Sequence, residues 1–263
     1  MKKKIECVIM DWAGTAVDFG CFAPVEAFVK AFGEKNIRLS VEEVRRPMGK
    51  AKIEHIRTLL QTDAVRAQFL SIYRREWKAD DLIGLNESFE YHLFLRLDRY
   101  AAPIAGAVEA VKALRGQGIK IGSTTGYTRA MMDIVEPVAG RLGYKTDSCV
   151  TPDGLPAGRP APFMIFRNMI NLDVRHPGCV LKVGDTLEDI REGLNAGVRT
   201  AGVILGSSEL GLSEEDVRQM PEEELGRKMQ AVRNRMTDAG AHYVIDSIGK
   251  LPQLIEHINL TDL

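Results

Sequence analysis

The sequence predicts a doubly wound α/β protein with a mostly parallel sheet and an inserted, all-helical segment. Three observations predict it. Short apolar runs rich in β-branched residues recur at Cys7–Met10, Ile119–Gly122, Ser148–Val150, Cys179–Val183, Arg199–Leu205 and His242–Ile245, nearly continuous as strands covered on both faces are. Helical patterns alternate with these runs, which is the signature of a parallel sheet with crossover helices. From Gly20 to Arg99 the alternation stops, and only helical patterns remain.

The chain opens on Lys2-Lys3-Lys4, followed by Ile5 to Met10. That run is too short for the apolar region of a signal peptide and contains Glu6, so it reads as a strand retained in the protein. The segment from 20 to 99 offers five helical patterns: Pro24–Phe32, Val41–Arg46, Ala51–Leu60, Val65–Trp77 and Leu85–Leu97. It is expected to form a cap domain over a core built from residues 1–19 and 100–263. Such a segment can close over a site at the strand ends. Ala107 to Arg115 puts Val108, Val111 and Leu114 on one stripe, and Gly116 and Gly118 stop it. Pro162–Ile170 and Glu188–Ala196 are two further helix candidates, the second closed by Gly197. Gly206 to Asp216 reads as a loop in which Ser213 caps a helix. Glu214 through Met236 reads as a charged helical region that is only solvated surface.

Of 263 residues, 45% are hydrophobic and 27% charged, ordinary for a globular chain. With 35 basic and 36 acidic residues the net charge is -1, which gives no reason to expect nucleic acid or an anionic membrane as partner. No stretch approaches the length of a membrane span. The four cysteines, Cys7, Cys21, Cys149 and Cys179, form no C-x-x-C pair, so no zinc site is expected. Cys7 and Cys179 lie inside apolar runs and read as reduced core residues, which points to the cytoplasm.

Polar residues follow three of the strand runs directly. Asp11 follows Cys7–Met10; Ser123, Thr124 and Thr125 follow Ile119–Gly122; Asp185 follows Val180–Gly184. In open α/β sheets, ligands bind beyond the carboxyl ends of the strands. One such Asp alone is most simply a helix cap or turn residue. Three strand ends carrying carboxylates and hydroxyls together point to a site. A carboxylate such as Asp11 can attack phosphorus, provided a cation sits between the two anions, and hard Mg²⁺ suits such oxygen ligands.

The run Asp11-Trp12-Ala13-Gly14-Thr15, then Ser123-Thr124-Thr125-Gly126, then Arg159-Pro160, then Gly184-Asp185-Thr186 with Asp189, resembles the four motifs of the haloacid dehalogenase superfamily. Further stretches, among them Cys21-Phe22-Ala23-Pro24, Pro47-Met48-Gly49 and Gly202–Leu212, resemble the phosphonoacetaldehyde hydrolases within it, over the insert as well as the core. The resemblance implies Asp11 as nucleophile, and Mg²⁺ held by the carboxylates of Asp11 and Asp185 and the backbone carbonyl of Ala13. It implies that Thr186 and Asp189 hold ligand waters or neighbouring groups, that Thr125 donates to a phosphoryl oxygen, and that Arg159 neutralises phosphoryl charge. It also implies Lys52 as the imine-forming amine, His55 as a proton shuttle, and Cys21, Met48, Gly49 and Tyr127 as the pocket around the substrate. A small-molecule substrate, phosphonoacetaldehyde, is the expected partner, in the breakdown of 2-aminoethylphosphonate by a homodimer.

One residue departs from the superfamily's phosphatases. They place an Asp two residues after the nucleophile to protonate a departing alkoxide, and here that residue is Ala13. Without such an acid, ester hydrolysis is handicapped by about 10²–10⁴-fold. Either the chain is a weakened phosphatase, or the leaving atom is carbon and no alkoxide forms. Cutting a P–C bond requires an electron sink, which a lysine imine on a neighbouring aldehyde supplies. His55, three residues after Lys52, shares its helical face; shuttling protons and sealing the cap–core interface both remain open for it. Cys21, Met48 and Tyr127 are equally readable as packing. A small phosphate ester as substrate, a metal-free dehalogenase and a non-catalytic phosphate-binding scaffold are the competing functions.

Overall fold

Parallel pairing organises the chain around one sheet. A computed structural model describes residues 4–261, so Lys2 and Lys3 of the basic start lie outside the described residues. Six strands, β1 (Cys7–Met10), β2 (Lys120–Thr124), β3 (Ser148–Val150), β4 (Val180–Gly184), β5 (Arg199–Val203) and β6 (Tyr243–Ile245), lie in the order β3-β2-β1-β4-β5-β6. Every pair is parallel. The chain builds outward from β1 through β2 to β3, then returns to the other side of β1 for β4. The switch point of the winding therefore falls between β1 and β4, where a crevice opens at the strand ends. Asp11 and Asp185 are the residues that follow those two strands.

Alternation along the strands sorts the two faces. Val8, Met10, Ile121, Leu181 and Val183 enter one apolar cluster. Cys7, Ile9 and Val180 enter another, with Ile165 and Met169 of a covering helix. Both faces are dry, which explains the near-continuous apolar runs.

The segment from 20 to 99 carries five α-helices among the described residues: α1 (Phe22–Glu34), α2 (Val41–Arg45), α3 (Lys52–Leu60), α4 (Asp63–Tyr73) and α5 (Ala79–Phe94). Helix α5 packs on α1 and α3, with Phe28 and Phe89 stacked at 4.2 Å. Local chemistry sets their ends. Ser40 and Glu43 form a capping box at the start of α2. Arg74, at φ 55, turns the chain out of α4 before Trp77, so that helix is shorter than its apolar pattern. Asp81 accepts from the Lys78 N–H at 2.8 Å and starts α5 six residues before the predicted Leu85.

The remaining helices are α6 (Ala107–Gly116), α7 (Arg129–Arg141), α8 (Phe163–Asn171), α9 (Leu187–Asn195), α10 (Glu214–Gln219), α11 (Glu222–Asp238) and α12 (Leu251–Thr261). Two were not legible: α7 carries Pro137 in its interior, and α12 carries Pro252 in its first turn. The charged region from Glu214 is not only solvated surface. Pro221 separates α10 from α11, and Val232 and Met236 of α11 are buried with Ile204. The parallel register with β3 carries β2 two residues further than expected, so Ser123 and Thr124 belong to the strand itself. No described helix is long and apolar enough to cross a membrane.

Candidate active site

The β1–β4 crevice and the inserted helices enclose a cavity of about 290 Å³. Asp11, Ala13, Cys21, Met48, Gly49, Lys52, Thr125, Tyr127, Arg159, Asp185 and Thr186 line it, together with Gly126. Of the residues singled out in the sequence, Asp189 lies behind this lining and His55 lies within the insert. The cavity is narrow, and most of the side chains that line it are buried.

Closure comes from the turn before α3, which seats on the strand-end loops of the core. Gly49 has φ +91, and a Cβ there would stand 2.5 Å from Thr186 Oγ1. Only glycine satisfies both the backbone angle and that approach. Gly14 serves the same purpose in the core: it has φ +85, and a Cβ would stand 2.3 Å from Asp185 Oδ2. The Asp11–Val17 turn can therefore lie directly against the second carboxylate.

Arg159 is the centre of the buried polar network. Its Nη2 donates to Asp11 Oδ1 at 2.6 Å and to Thr124 Oγ1 at 2.8 Å. Its Nε donates to Glu192 Oε2 at 3.0 Å, and its Nη1 stands 3.0 Å from Asp189 Oδ1. Sequence reasoning missed the next member. Lys182 of β4 is wholly buried inside an apolar run and reaches Asp189 Oδ1 at 2.9 Å, Glu192 Oε2 at 3.2 Å and Thr124 Oγ1 at 2.7 Å. Glu192 on α9 was also missed. The usable signal was the polarity itself: a lysine in the middle of a central strand must meet acids from a covering helix.

Asp189 has two tasks. With Thr186 it forms the capping box that starts α9. Burial opposes its charge, but Arg159 and Lys182 hold its carboxyl below the usual range. Asp185 differs: it receives the Ser208 N–H at 2.7 Å and the Thr15 hydroxyl at 3.3 Å, both neutral donors. Burial, then Asp11 and Asp189, push its pKa well above the ordinary value.

Oxygens of Asp11, Asp185 and Asp189 lie within 4.8 Å of one another. With all four acids ionised, the linked cluster holds four carboxylates, Asp11, Asp185, Asp189 and Glu192, against two cations, Arg159 and Lys182. A divalent cation balances that charge. It fits best between Asp11 and Asp185, because Asp189 is already matched by Arg159 and Lys182.

Lys52 is the first residue of α3, and no side chain caps that end. Its ammonium would face the positive end of the helix. Burial pushes the amine pKa below its usual value, with Cys21 and Asp11 pulling the other way. Its Nζ lies 5.1 Å from the centre of the Tyr127 ring. Burial pushes the Cys21 thiol well above its ordinary range, so it is no thiolate nucleophile. The His55 ring lies 4.0 Å from that of Phe28, tilted by 31°, and its Nε2 is 2.9 Å from the Val44 carbonyl. A carbonyl only accepts, so Nε2 carries the proton, leaving Nδ1 buried without a hydrogen-bond partner. Thr125 Oγ1 accepts from the Tyr127 N–H at 3.0 Å and faces the cavity.

The family model for haloacid dehalogenase-like hydrolase matches residues 5–197. A phosphonoacetaldehyde hydrolase of Bacteroides fragilis is 54% identical over 257 residues, which is 98% of this chain and 98% of its own. The chain belongs to the phosphonoacetaldehyde hydrolase family. A member from Parabacteroides distasonis is 51% identical over 261 residues, 99% of each chain. Among solved structures, a phosphonoacetaldehyde hydrolase like protein of Oleispira antarctica superposes with a TM-score of 0.97 at 36% identity, covering 99% of this chain and 95% of its own. Membership of the phosphonoacetaldehyde hydrolase family makes this chain a hydrolase with a small-molecule substrate.

Proposed function

We propose that the chain hydrolyses phosphonoacetaldehyde to acetaldehyde and phosphate, through an imine on Lys52 and an aspartyl phosphate on Asp11. The observation that carries the reading is the shared cavity: a buried amine whose pKa is lowered lines the same narrow space as the Asp11 carboxylate. Ala13, in place of an acid, favours carbon over oxygen as the leaving atom. The relatives, named phosphonoacetaldehyde hydrolases, agree with this substrate.

Neutral Lys52 adds to the aldehyde carbon and water leaves, forming an imine that is then protonated. Asp11 attacks phosphorus, the P–C electron pair flows into the iminium, and the organic half remains on Lys52 as an enamine. Protonation at carbon and hydrolysis release acetaldehyde and free Lys52, and water cleaves the aspartyl phosphate. Arg159 holds Asp11 in its attacking orientation. Thr125 donates to a phosphoryl oxygen while its Oγ1 still accepts the Tyr127 N–H. Mg²⁺, held by Asp11, Asp185 and the Ala13 carbonyl, would screen the nucleophile's charge from the phosphoryl group. His55 shuttles protons for the imine steps through its free Nδ1.

In this reading residues 20–99 form a cap that opens to admit substrate, because most of the residues lining the cavity are buried. The enzyme works as a homodimer in the cytoplasm, degrading 2-aminoethylphosphonate. The test is product analysis of the purified chain with phosphonoacetaldehyde and Mg²⁺. Equal yields of acetaldehyde and phosphate are expected. Phosphate release from small phosphate esters at comparable rates, with the phosphonate inert, would overturn the reading.

A further inference from the structure

We infer that Arg45 is a positioning residue that ties the seating of the inserted helices to the orientation of Asp185. Arg45 ends α2, inside the insert, and reaches both Gly20, where the insert leaves the core, and Ser208, in a loop of the core. Its Nη1 donates to the Gly20 carbonyl at 2.7 Å and to the carbonyl and Oγ of Ser208, each at 3.3 Å. The guanidinium lies 5.0 Å from the centre of the Phe22 ring. Gly211 makes room for it: a Cβ there would stand 3.1 Å from Arg45 Nε. The loops it joins are already linked, since the Gly20 N–H donates to the Gly206 carbonyl at 2.7 Å.

Ser208 is the connecting residue. Its carbonyl and hydroxyl take the Arg45 contacts, and its N–H donates to Asp185 Oδ2 at 2.7 Å. One residue is thus held by the insert on one side and holds a carboxylate of the site on the other. Arg45 Nε and Nη2 are buried without hydrogen-bond partners, an arrangement that costs stability and is rare unless position matters more than satisfaction. The negative groups whose field they feel include Asp185 and Asp18.

When the insert lifts, Ser208 loses both Arg45 contacts, and Asp185 loses a fixed donor. The same movement that delivers Lys52 to the cavity therefore completes the metal carboxylate's surroundings. Attack by Asp11 is favoured only when the amine is in place. This inference rests on the reading of Asp185 as a metal ligand.

The test uses the full chain with Arg45→Met, which keeps the stem against Phe22 and removes every donor, and Arg45→Lys, which keeps one charged group. Amide hydrogen exchange at Ser208 and calorimetric binding of Mg²⁺ are measured beside the melting temperature. Arg45→Met should exchange its Ser208 amide about tenfold faster and bind Mg²⁺ about tenfold more weakly, with Arg45→Lys between it and the parent. Should Arg45→Met fail to fold, Ser208→Ala removes only the hydroxyl contact and should shift both readings the same way, by two- to threefold. Unchanged Ser208 exchange in a folded Arg45→Met variant would overturn the inference. Faster exchange in a chain whose parent form binds no Mg²⁺ would instead sink the metal reading and support the Arg45–Ser208 link.

Discussion

Arg159 donates to the Asp11 carboxylate at 2.6 Å, and both side chains are almost wholly out of solvent. This contact sets how the guanidinium works. Its N–H groups already donate to Asp11, Thr124 and Glu192, and its Nη1 stands 3.0 Å from Asp189 Oδ1, so in the proposed mechanism it orients the nucleophile first and meets phosphoryl charge second.

A single ammonium cannot meet those four acceptors together. Arg159→Lys should fold but lose about 10²-fold in kcat with a smaller change in KM. Arg159→Met should lose about 3–5 kcal/mol of unfolding free energy in urea, because it strands buried carboxylates. Wild-type kcat in Arg159→Lys would contradict this role.

The charge count of the cluster carries a second expectation. Chelation with EDTA should abolish turnover, and Mg²⁺ should restore it. Mg²⁺ at a hundred times its dissociation constant should also stabilise the fold by about 2.7 kcal/mol, read as a rise of several degrees in the melting temperature. Full turnover in EDTA with no thermal shift would count against the cation.

Asp18 gives a pH dependence. It accepts the N–H groups of Phe22 and Ala23 at 2.9 and 3.0 Å, and burial pushes its pKa from 3.8 to about 7. The folded chain therefore holds this proton more tightly than the unfolded chain. Its contribution to stability is fully present below pH 3.8 and is lost as pH rises to about 7, at most about 1.4 kcal/mol per unit. Asp18→Asn removes that titration. The parent's stability relative to Asp18→Asn should fall on the order of 2–3 kcal/mol between pH 4.5 and 7.5, measured in urea. A pH-independent difference would refute the assignment.

The sheet was legible because strands dry on both faces must be apolar throughout, and the residues at their ends stood out against those runs. Asp11, Thr125 and Asp185 were visible for that reason. Lys52 was singled out by resemblance, since nothing local separates it from Lys50; the structure differentiates them by seating the turn at Gly49 on Thr186. Lys182 and Glu192 were hidden because their meaning is a contact between β4 and α9, ten residues apart in sequence. Helix α7 was hidden by Pro137 in its interior, where proline ordinarily breaks a helix, and α12 by Pro252 in its first turn. Arg45 was hidden most completely, since its partners Gly20 and Ser208 lie at loop positions that no periodicity marks.

The central claim is that Lys52 becomes covalently joined to the substrate. The direct measurement is borohydride reduction in the presence of phosphonoacetaldehyde, followed by peptide mass analysis. An irreversible loss of activity with a reduced two-carbon adduct on the Lys52 peptide, absent in Lys52→Arg, is the predicted result. Rapid phosphonate turnover by Lys52→Ala, or an adduct confined to another lysine, would contradict the account.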